Sequence, residues 1–285
     1  MKSATLPIVW ITGAGGLIGN YLVQLAPQFA PSSHAVGLTR ETLDLLDSAA
    51  VRQTFREQQP AAIIHCAAMT RPPDCQRNPI LARRINIETT TLLAELAANI
   101  PFVFFSTDLV FDGHKGNYTE TDTVNPLSVY AETKVAAERV VLANPRHTVL
   151  RTSLNGGVSP TGDRGFNEQI RNAWQRGQKL SFFTDEFRSP IHAEFTARAC
   201  WELFLKRQVG IFHVAGSEKL SRAQMGKHLA QRYQHLNPQF ETSSLKDYVG
   251  APRSPNTSLD SSKAQAQLSF QLPGMFDWLH ENPGD

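Results

Sequence analysis

Short apolar runs alternate with segments of helical periodicity along the first half of the chain. Apolar and β-branched residues fill 8–12, 35–39, 61–66, 102–105 and 148–152, and each run has the length of a strand. Apolar residues recur at helical spacing in 20–25, 49–58, 81–99 and 128–142. Strands that alternate with helices predict right-handed βαβ units and therefore an α/β fold with a doubly wound parallel sheet. Ligands bind such sheets at the carboxyl ends of the strands.

Glycines follow the first predicted strand at a spacing of three residues. Gly13 permits a tight turn, Gly16 lets a pyrophosphate approach the backbone, and Gly19 lets the helix pack on the strand. Leu17 and Ile18 lie in the first helical turn, where free N–H groups attract phosphates. Because the pattern follows a strand and opens a helix, it predicts a Rossmann-type dinucleotide site.

The end of the second strand bears on the choice of dinucleotide. Arg40 stands where NAD-binding proteins usually carry a carboxylate, and a guanidinium suits a 2′-phosphate. The sequence therefore favours NADP(H), with NAD(H) as the alternative. Asp44 and Leu45 follow as an acidic–apolar pair of the kind that borders an adenine.

A second motif places chemistry on the helix predicted for 128–142. Tyr130 and Lys134 are four residues apart, so both side chains lie on one helix face. A nearby ammonium, together with an oxidised nicotinamide, favours the phenolate and lets tyrosine exchange protons. Either Ser106 or Thr107, at the end of the fourth strand, can hold a substrate carbonyl. Asp108 is interpreted as a turn residue.

After residue 152 the pattern loosens. Glycines and prolines crowd 156–165, helices are predicted for 166–176, 193–206 and 222–235, and 210–215 returns as a late strand. We expect a dinucleotide-binding domain over 1–154. A smaller C-terminal substrate-binding lobe over 155–285 is expected to be interleaved with the sheet domain.

Composition narrows the classes of partner. The 285 residues are 41% hydrophobic and 19% charged, and their net charge of +2 gives no argument for nucleic acid or a membrane surface. Three cysteines without a CxxC pair favour a reducing compartment. With no signal peptide or long apolar stretch recognised, we expect a cytoplasmic protein.

Two longer segments resemble a known family. They read STDLVFDG over 106–113 and NPLSVYAETK over 125–134. The chain resembles dTDP-4-dehydrorhamnose reductase and its relatives, which are extended short-chain dehydrogenases/reductases. The glycine turn, Cys66-Ala67-Ala68, Asn86 and the segment 150–153 match in the same order.

The resemblance implies NADPH-dependent reduction of the 4-keto group of a nucleotide-linked deoxysugar. It selects Thr107 as the catalytic hydroxyl, with Tyr130 as proton donor and Lys134 as its partner. The implied cofactor-binding residues are Gly13, Gly16, Leu17, Ile18, Gly19, Arg40, Asp44, Leu45, Cys66, Ala67, Ala68, Asn86, Ser106, Tyr130, Lys134 and Ser153. The implied substrate-binding residues are Thr107, Leu154 and Arg188.

The chain also departs from the family. Leu154 replaces a frequent aromatic residue, and the loop 155–165 is unlike the usual one. Asn20-Tyr21 stands where some members hold magnesium through a glutamate, so no metal site is expected.

Three alternatives stay open. The same cofactor and catalytic residues serve a reductase of another substrate, or an epimerase. The third is a non-catalytic, NADP-binding regulatory subunit, since the β subunit of methionine adenosyltransferase resembles this family. A homodimer is also left open.

Overall fold

A parallel sheet of six strands forms the centre of the protein in a computed structural model that describes residues 6–250 and 252–281. Five of its strands lie within the first 152 residues. In chain order the elements are β1 (Ile8–Thr12), α1 (Leu17–Phe29), β2 (His34–Leu38), α2 (Ser48–Gln58), β3 (Ala62–His65), α3 (Pro72–Arg77), α4 (Pro79–Arg83), a π-helical turn (Arg84–Glu88), α5 (Thr89–Leu96), β4 (Phe102–Thr107), α6 (Val129–Leu142) and β5 (Thr148–Thr152).

The second half adds shorter elements. They are β6 (Asn155–Gly156), α7 (Phe166–Gln175), β7 (Leu180–Phe183), β8 (Phe187–Arg188), β9 (Ile191–His192), α8 (Ala193–Leu205), β10 (Gly210–Val214), β11 (Leu220–Ser221), α9 (Arg222–Arg232), β12 (Phe240–Ser243), α10 (Ser262–Gln265) and α11 (Met275–Glu281). No helix among the described residues combines the length and the apolar character needed to cross a bilayer.

The strand order confirms the doubly wound, Rossmann-type sheet. The order is β10-β5-β4-β3-β1-β2, and every pair in it is parallel. The direction of winding reverses between β1 and β3, which makes the carboxyl ends of these strands the switch point at which such sheets bind ligands. The late strand expected at 210–215 is present as β10, paired with β5.

Because β10 lies in the second half of the chain, a cut at residue 154 divides the central sheet. The boundary between the domains predicted for 1–154 and 155–285 is therefore a matter of convention. Residues 1–5 and 282–285, at the ends of those two ranges, lie outside the described residues.

Alternate strand residues build two separate cores. Ile11 and Phe105 face the layer of α1 and α8, whereas Trp10 and Phe104 face the layer of α2, α5 and α6. This period of two explains why the strands are apolar throughout, as strands covered on both faces must be.

The long helix predicted for 81–99 is interrupted. A π-helical turn separates α4 from α5, and the helix ends at Leu96. Within this region the Thr90 hydroxyl donates to the carbonyl of Asn86 at 2.8 Å, and that of Thr91 donates to the carbonyl of Ile87 at 2.9 Å. Hydroxyl groups that bond back to the preceding turn distort helices, which periodicity alone does not reveal.

A third core holds the C-terminal lobe together. α7, α9 and α11 pack with the parallel pair β7–β12, a pairing that the sequence analysis did not anticipate. The buried side chains of this core include Phe166, Ile170, Trp174, Phe182, Met225, Leu229, Tyr233 and Trp278.

Trp201 provides a test of the α1–α8 layer. Its side chain is fully buried, and its indole N–H donates to the carbonyl of Leu22 on α1 at 3.0 Å. We expect Trp201→Ala to lower the free energy of unfolding by about 3–5 kcal/mol through the cavity it leaves, measured by urea denaturation. Leu205→Ala, at an exposed position of the same helix, should change it by less than about 0.5 kcal/mol. Equal effects would contradict the packing described.

Candidate functional site

The glycine turn brings β1 against the end of β3. Gly13 has φ +70°, and a Cβ built on it would lie 2.7 Å from the Ala67 nitrogen. A Cβ on Gly19 would lie 2.3 Å from the Gly13 carbonyl oxygen, while one on Gly16 would lie 3.1 Å from the same atom. A side chain at Gly13 or Gly19 would clash with the neighbouring backbone, so both positions require glycine. The turn therefore packs directly against the end of β3.

Helix α1 starts with its N–H groups directed at this turn. Gly16 caps the helix without a side-chain bond, and no acidic residue stands in the first turn. Leu17 is buried and Ile18 is half-buried, so the helix packs on the sheet through this turn. A helix N-terminus without a side-chain cap, next to a glycine turn, suits a phosphate by its chemistry.

The end of β2 presents a cation beside the cradle. Arg40 is exposed, and the turn that carries it is fixed by Thr42, whose hydroxyl accepts a bond from the Thr39 N–H at 2.9 Å. Asp44 is exposed and Leu45 half-buried in the following loop. Arg40 forms no ion pair with the described residues, so it could bind a phosphate near the turn without losing a protein partner.

A chain of buried hydrogen bonds lies under the cradle. Thr12 Oγ1 lies 2.6 Å from His65 Nδ1, and His65 Nε2 lies 3.1 Å from the Thr90 hydroxyl. The Thr90 proton goes to the Asn86 carbonyl, so Nε2 must donate to Thr90 and Nδ1 must accept from Thr12. Burial, with the charge of Lys134, lowers the pKa of His65 to about 3, in keeping with this neutral tautomer.

The same threonine fixes the loop after β3. The N–H groups of Cys66 and Ala67 point at Thr12 Oγ1, at 3.2 and 3.3 Å. Cys66, Ala67 and Ala68 are half-buried and follow the strand at the switch point. Burial raises the pKa of the Cys66 thiol, so this residue is a small lining group rather than a nucleophile.

Asn86 ties that loop to the helix of the tyrosine and lysine. Its amide oxygen accepts from the Met69 N–H at 2.8 Å, and its amide nitrogen donates to the Met69 carbonyl and the Thr133 hydroxyl. The side chain is buried in the π-helical turn. The geometry thus gives Asn86 a positioning role beside the predicted cofactor contact.

Tyr130 and Lys134 lie on the buried face of α6. The helix begins after Ser128, whose hydroxyl accepts from the Ala131 N–H. Tyr130 is 8% exposed and Lys134 3% exposed, and the ammonium nitrogen lies 4.0 Å from the centroid of the Phe104 ring. A tyrosine and a lysine buried on one helix face have the geometry of an acid–base pair.

The two groups respond differently to burial. Burial raises the pKa of Tyr130, and a hydrogen bond with Thr107 opposes that rise only in part. Burial lowers the pKa of Lys134 to about 7, against the attraction of Glu138. The protein's own groups therefore hold Tyr130 as a neutral phenol, which is the state that a proton donor needs.

Ser106 and Thr107 have different surroundings at the end of β4. Thr107 is the last residue of β4, and its hydroxyl donates to Asp108 at 3.1 Å. Ser106 Oγ is buried and has no hydrogen-bond partner among the described residues. A buried hydroxyl without a partner is unusual and is ready to bond a ligand at this strand end.

Asp108 begins a short 3₁₀ turn, as the sequence indicated, but its carboxylate is buried, which the sequence did not reveal. Its side chain is 5% exposed and accepts bonds from the hydroxyls of Thr107, Ser153 and Thr257. Ser153, predicted at the cofactor, donates to Asp108 at 2.8 Å. No signal within the sequence distinguishes such a buried carboxylate from a turn aspartate.

Arg188 is held by protein groups on all sides. It lies 2.9 Å from Glu186 and 3.7 Å from Asp108, and it donates to the carbonyls of Phe187 and Ser254. The Arg188 guanidinium therefore links Glu186, Asp108 and two backbone carbonyls. A substrate that contacted Arg188, as predicted, would bind a guanidinium that already has these protein partners.

Two further arginines, which the sequence analysis missed, line an open pocket of about 300 Å³. Arg253 makes two bonds to Glu186, at 2.8 and 3.0 Å, and burial lowers the pKa of Arg222 only to about 10. Phe183 forms another part of the wall. Leu154 is half-buried and packs against the core of the lobe.

Comparisons with known proteins agree with this architecture. The profile of the RmlD substrate binding domain family matches residues 8–280. The chain belongs to this family. Methionine adenosyltransferase 2 subunit beta from Rattus norvegicus is 32% identical over 278 residues, which cover 90% of this chain and 81% of that protein.

Solved structures of reductases share the fold. A dTDP-4-dehydrorhamnose reductase from Clostridium acetobutylicum has a TM-score of 0.87 at 25% identity, over 96% of this chain and 97% of that one. The enzyme of the same name from Bacillus anthracis, in complex with NADP, has a TM-score of 0.85 at 23% identity, over 96% and 98%. The resemblance to extended short-chain dehydrogenases/reductases, and the assignment to that oxidoreductase type, are confirmed at the level of family and fold.

The Gly13 turn can be tested directly. Gly13→Ala would place a methyl group against the Ala67 backbone and strain the positive φ, so we expect NADPH affinity to fall at least about tenfold, measured by fluorescence titration. Gly177→Ala is the matched control, because Gly177 has φ +68° with open space around its Cβ position. It should cost about 1 kcal/mol of stability and leave NADPH binding unchanged. Equal losses of binding would contradict the cradle.

Proposed function

We propose that the protein is an NADPH-dependent reductase that acts on the 4-keto group of a nucleotide-linked deoxysugar. The observation that carries this proposal is the burial of Tyr130 and Lys134 on one face of α6, with Thr107 at the end of β4. These three groups lie at the carboxyl end of the sheet, where its fold class binds ligands.

The residues present fit NADP(H). Gly13 and Gly19 leave no room for a side chain, and the free N-terminus of α1 suits a pyrophosphate. Arg40 suits the additional 2′-phosphate, and the Ser106 hydroxyl is available to the bound cofactor. When bound, the nicotinamide supplies the hydride that adds to the carbonyl carbon.

The protein itself supplies the proton for the reduction. Tyr130, kept neutral by burial, donates its phenolic proton to the carbonyl oxygen as the carbon is reduced. The ammonium of Lys134 stabilises the phenolate that remains. The product is an alcohol, and the tyrosine recovers its proton from solvent before the next turnover.

The arginine pocket supports a sugar nucleotide as the substrate. Arg222 and Arg253 bring positive charge to its wall, and Phe182 and Phe183 bring aromatic surface. Guanidinium groups suit a diphosphate and aromatic rings suit a nucleobase. Arg253 on the pocket wall binds Glu186, which pairs with Arg188, and Arg188 lies 3.7 Å from Asp108.

A regulatory subunit is the second candidate. It is favoured by the 32% identity with the Rattus norvegicus methionine adenosyltransferase subunit. Such a protein would keep the dinucleotide site and bind a partner enzyme. The buried Tyr130 and Lys134 favour the reductase, since binding a cofactor alone does not require a proton donor.

Turnover separates the two candidates. We expect the protein to oxidise NADPH with a 4-keto-6-deoxysugar nucleotide, and Tyr130→Phe to lower kcat by about 10²–10⁴-fold while NADPH affinity stays within about twofold. The assay follows absorbance of the reduced nicotinamide. Tyr118→Phe is the matched control, because the Tyr118 hydroxyl donates to Asp112 outside the site.

Each outcome has a clear meaning. NADPH binding without turnover on any sugar nucleotide or simple carbonyl, combined with capture of a methionine adenosyltransferase catalytic subunit, would replace the reductase with the regulatory candidate. Turnover of simple carbonyls alone would retain the chemistry and reject the sugar nucleotide.

The lowered pKa of Lys134 predicts how kcat/KM for NADPH depends on pH. Its folded-state pKa is lowered to about 7, so the ammonium is present below that pH and is lost as the pH rises through it. We therefore expect kcat/KM for NADPH, which reports the free enzyme, to decline above about pH 7. Lys134→Arg keeps its charge and should lack this decline. The same decline in both proteins would assign the titration to another group.

A further inference from the structure

His65 lies at the carboxyl end of β3, beside the switch point of the sheet, and its side chain is fully buried. In the sheet it stands between Thr12 of β1 and Phe104 of β4. A buried polar group costs free energy unless it is hydrogen-bonded, and both ring nitrogens of His65 have a hydroxyl partner. These two partners lead to different parts of the site.

One ring nitrogen of His65 faces the glycine turn. Nδ1 lies 2.6 Å from the Thr12 hydroxyl and accepts a hydrogen bond from it. The oxygen of that hydroxyl accepts from the N–H groups of Cys66 and Ala67, at 3.2 and 3.3 Å. Ala67 is also the residue whose backbone leaves no room for a Cβ at Gly13. The bond between Thr12 and the histidine therefore fixes the loop that packs on the glycine turn.

The other ring nitrogen leads to α6. Nε2 lies 3.1 Å from Thr90 Oγ1 and must donate, because Thr90 gives its own proton to the Asn86 carbonyl at 2.8 Å. The Asn86 amide nitrogen donates to the Thr133 hydroxyl at 2.9 Å, and that hydroxyl donates to the Tyr130 carbonyl at 2.7 Å. The three intervening side chains are buried. Hydrogen bonds of known direction thus join His65 to the backbone of Tyr130.

One tautomer of a neutral imidazole satisfies both sides. Such a ring donates through one nitrogen and accepts through the other, and the partners require the proton to be on Nε2. An imidazolium would present a second N–H to the Thr12 hydroxyl, whose proton would then lose its acceptor. Burial, with the charge of Lys134, lowers the pKa of His65 to about 3, so the ring is neutral near pH 7.

We propose that His65 is a positioning residue, which fixes the loop 66–69 at the cofactor site relative to the backbone of Tyr130 through its single donor and its single acceptor. The part of this role that concerns kcat rests on the proposed reductase function. The tautomer of His65 and its effect on NADPH binding do not, and both can be measured without turnover.

The tautomer can be observed directly by NMR of protein labelled with ¹⁵N in histidine. We expect His65 to carry its proton on Nε2, with its signals assigned by their loss in His65→Asn. His213 is the internal control, because its Nδ1 lies 2.9 Å from the Tyr118 carbonyl and its Nε2 lies 3.4 Å from Arg151, which require the opposite tautomer. A proton on Nδ1 of His65, alone or together with one on Nε2 at pH 7, would overturn the proposal.

His65→Phe tests the effect on cofactor binding. The substitution keeps a ring in the core and removes both hydrogen bonds. Because the loop 66–69 is then no longer fixed, we expect NADPH affinity to fall at least about tenfold, measured by fluorescence titration. His147→Phe is the matched control, since it replaces another buried histidine just before β5, at the opposite end of the sheet. It should leave NADPH affinity within about twofold, and equal losses in the two variants would reject the positioning role.

His65→Asn and His65→Gln separate the two bonds, and they keep the test available if His65→Phe does not fold. The amide of asparagine can take the place of Nδ1, and that of glutamine the place of Nε2. We expect His65→Asn to keep NADPH affinity within about threefold and to lose kcat at least about tenfold, whereas His65→Gln should lose more NADPH affinity than kcat. Parallel losses of both quantities in both variants would reduce His65 to a structural role.

Failure of this proposal can be told apart from failure of the reductase. If the wild type reduces no carbonyl, the reductase proposal fails. The tautomer of His65 and the NADPH affinities of its variants then still decide whether the histidine fixes the loop.

Discussion

The site depends on a chain of buried hydrogen bonds that crosses the switch point of the sheet. The Cys66 and Ala67 N–H groups donate to the Thr12 hydroxyl, and that hydroxyl donates to His65 Nδ1. His65 Nε2 then donates to the Thr90 hydroxyl. The chain joins β1, the loop after β3 and α5. Each hydroxyl has one proton. Because Thr90 gives its proton to the Asn86 carbonyl, His65 must donate to Thr90 and Thr12 must donate to His65. A neutral His65 is needed for this arrangement, and its depressed pKa maintains it.

This constraint explains why the glycine turn and the helix pair are found together. Gly13 approaches Ala67 closely enough to exclude a Cβ, and the loop after Ala67 continues to Met69, which Asn86 clamps. Asn86 also binds Thr133, next to Lys134. The glycine turn on one side and the helix of Tyr130 and Lys134 on the other are thus built on the same short loop. Their separation is set by bonds from the buried side chains of Thr12 and Asn86 to the backbone of this loop.

Periodicity predicted the central sheet well because its strands are buried on both faces and its helices are amphipathic. The glycine spacing and the Tyr130–Lys134 spacing also predicted local geometry, since both motifs act within one turn or one helix. The burial of Asp108 and its hydrogen-bond partners could not be predicted in this way. Its partners Ser153 and Thr257 are 45 and 149 residues away in the chain, and only the tertiary structure brings them together.

Arg188 illustrates the same limit for charged residues. A sequence pattern can select an arginine, but it cannot tell whether the guanidinium faces a ligand or is satisfied by the protein. Here Glu186 and two carbonyls bind Arg188, while Arg222 and Arg253 reach the pocket. The buried Asp108 and Glu186 together offset two of these three positive charges. The remaining charge is directed at the pocket, where an anionic ligand would complete the balance.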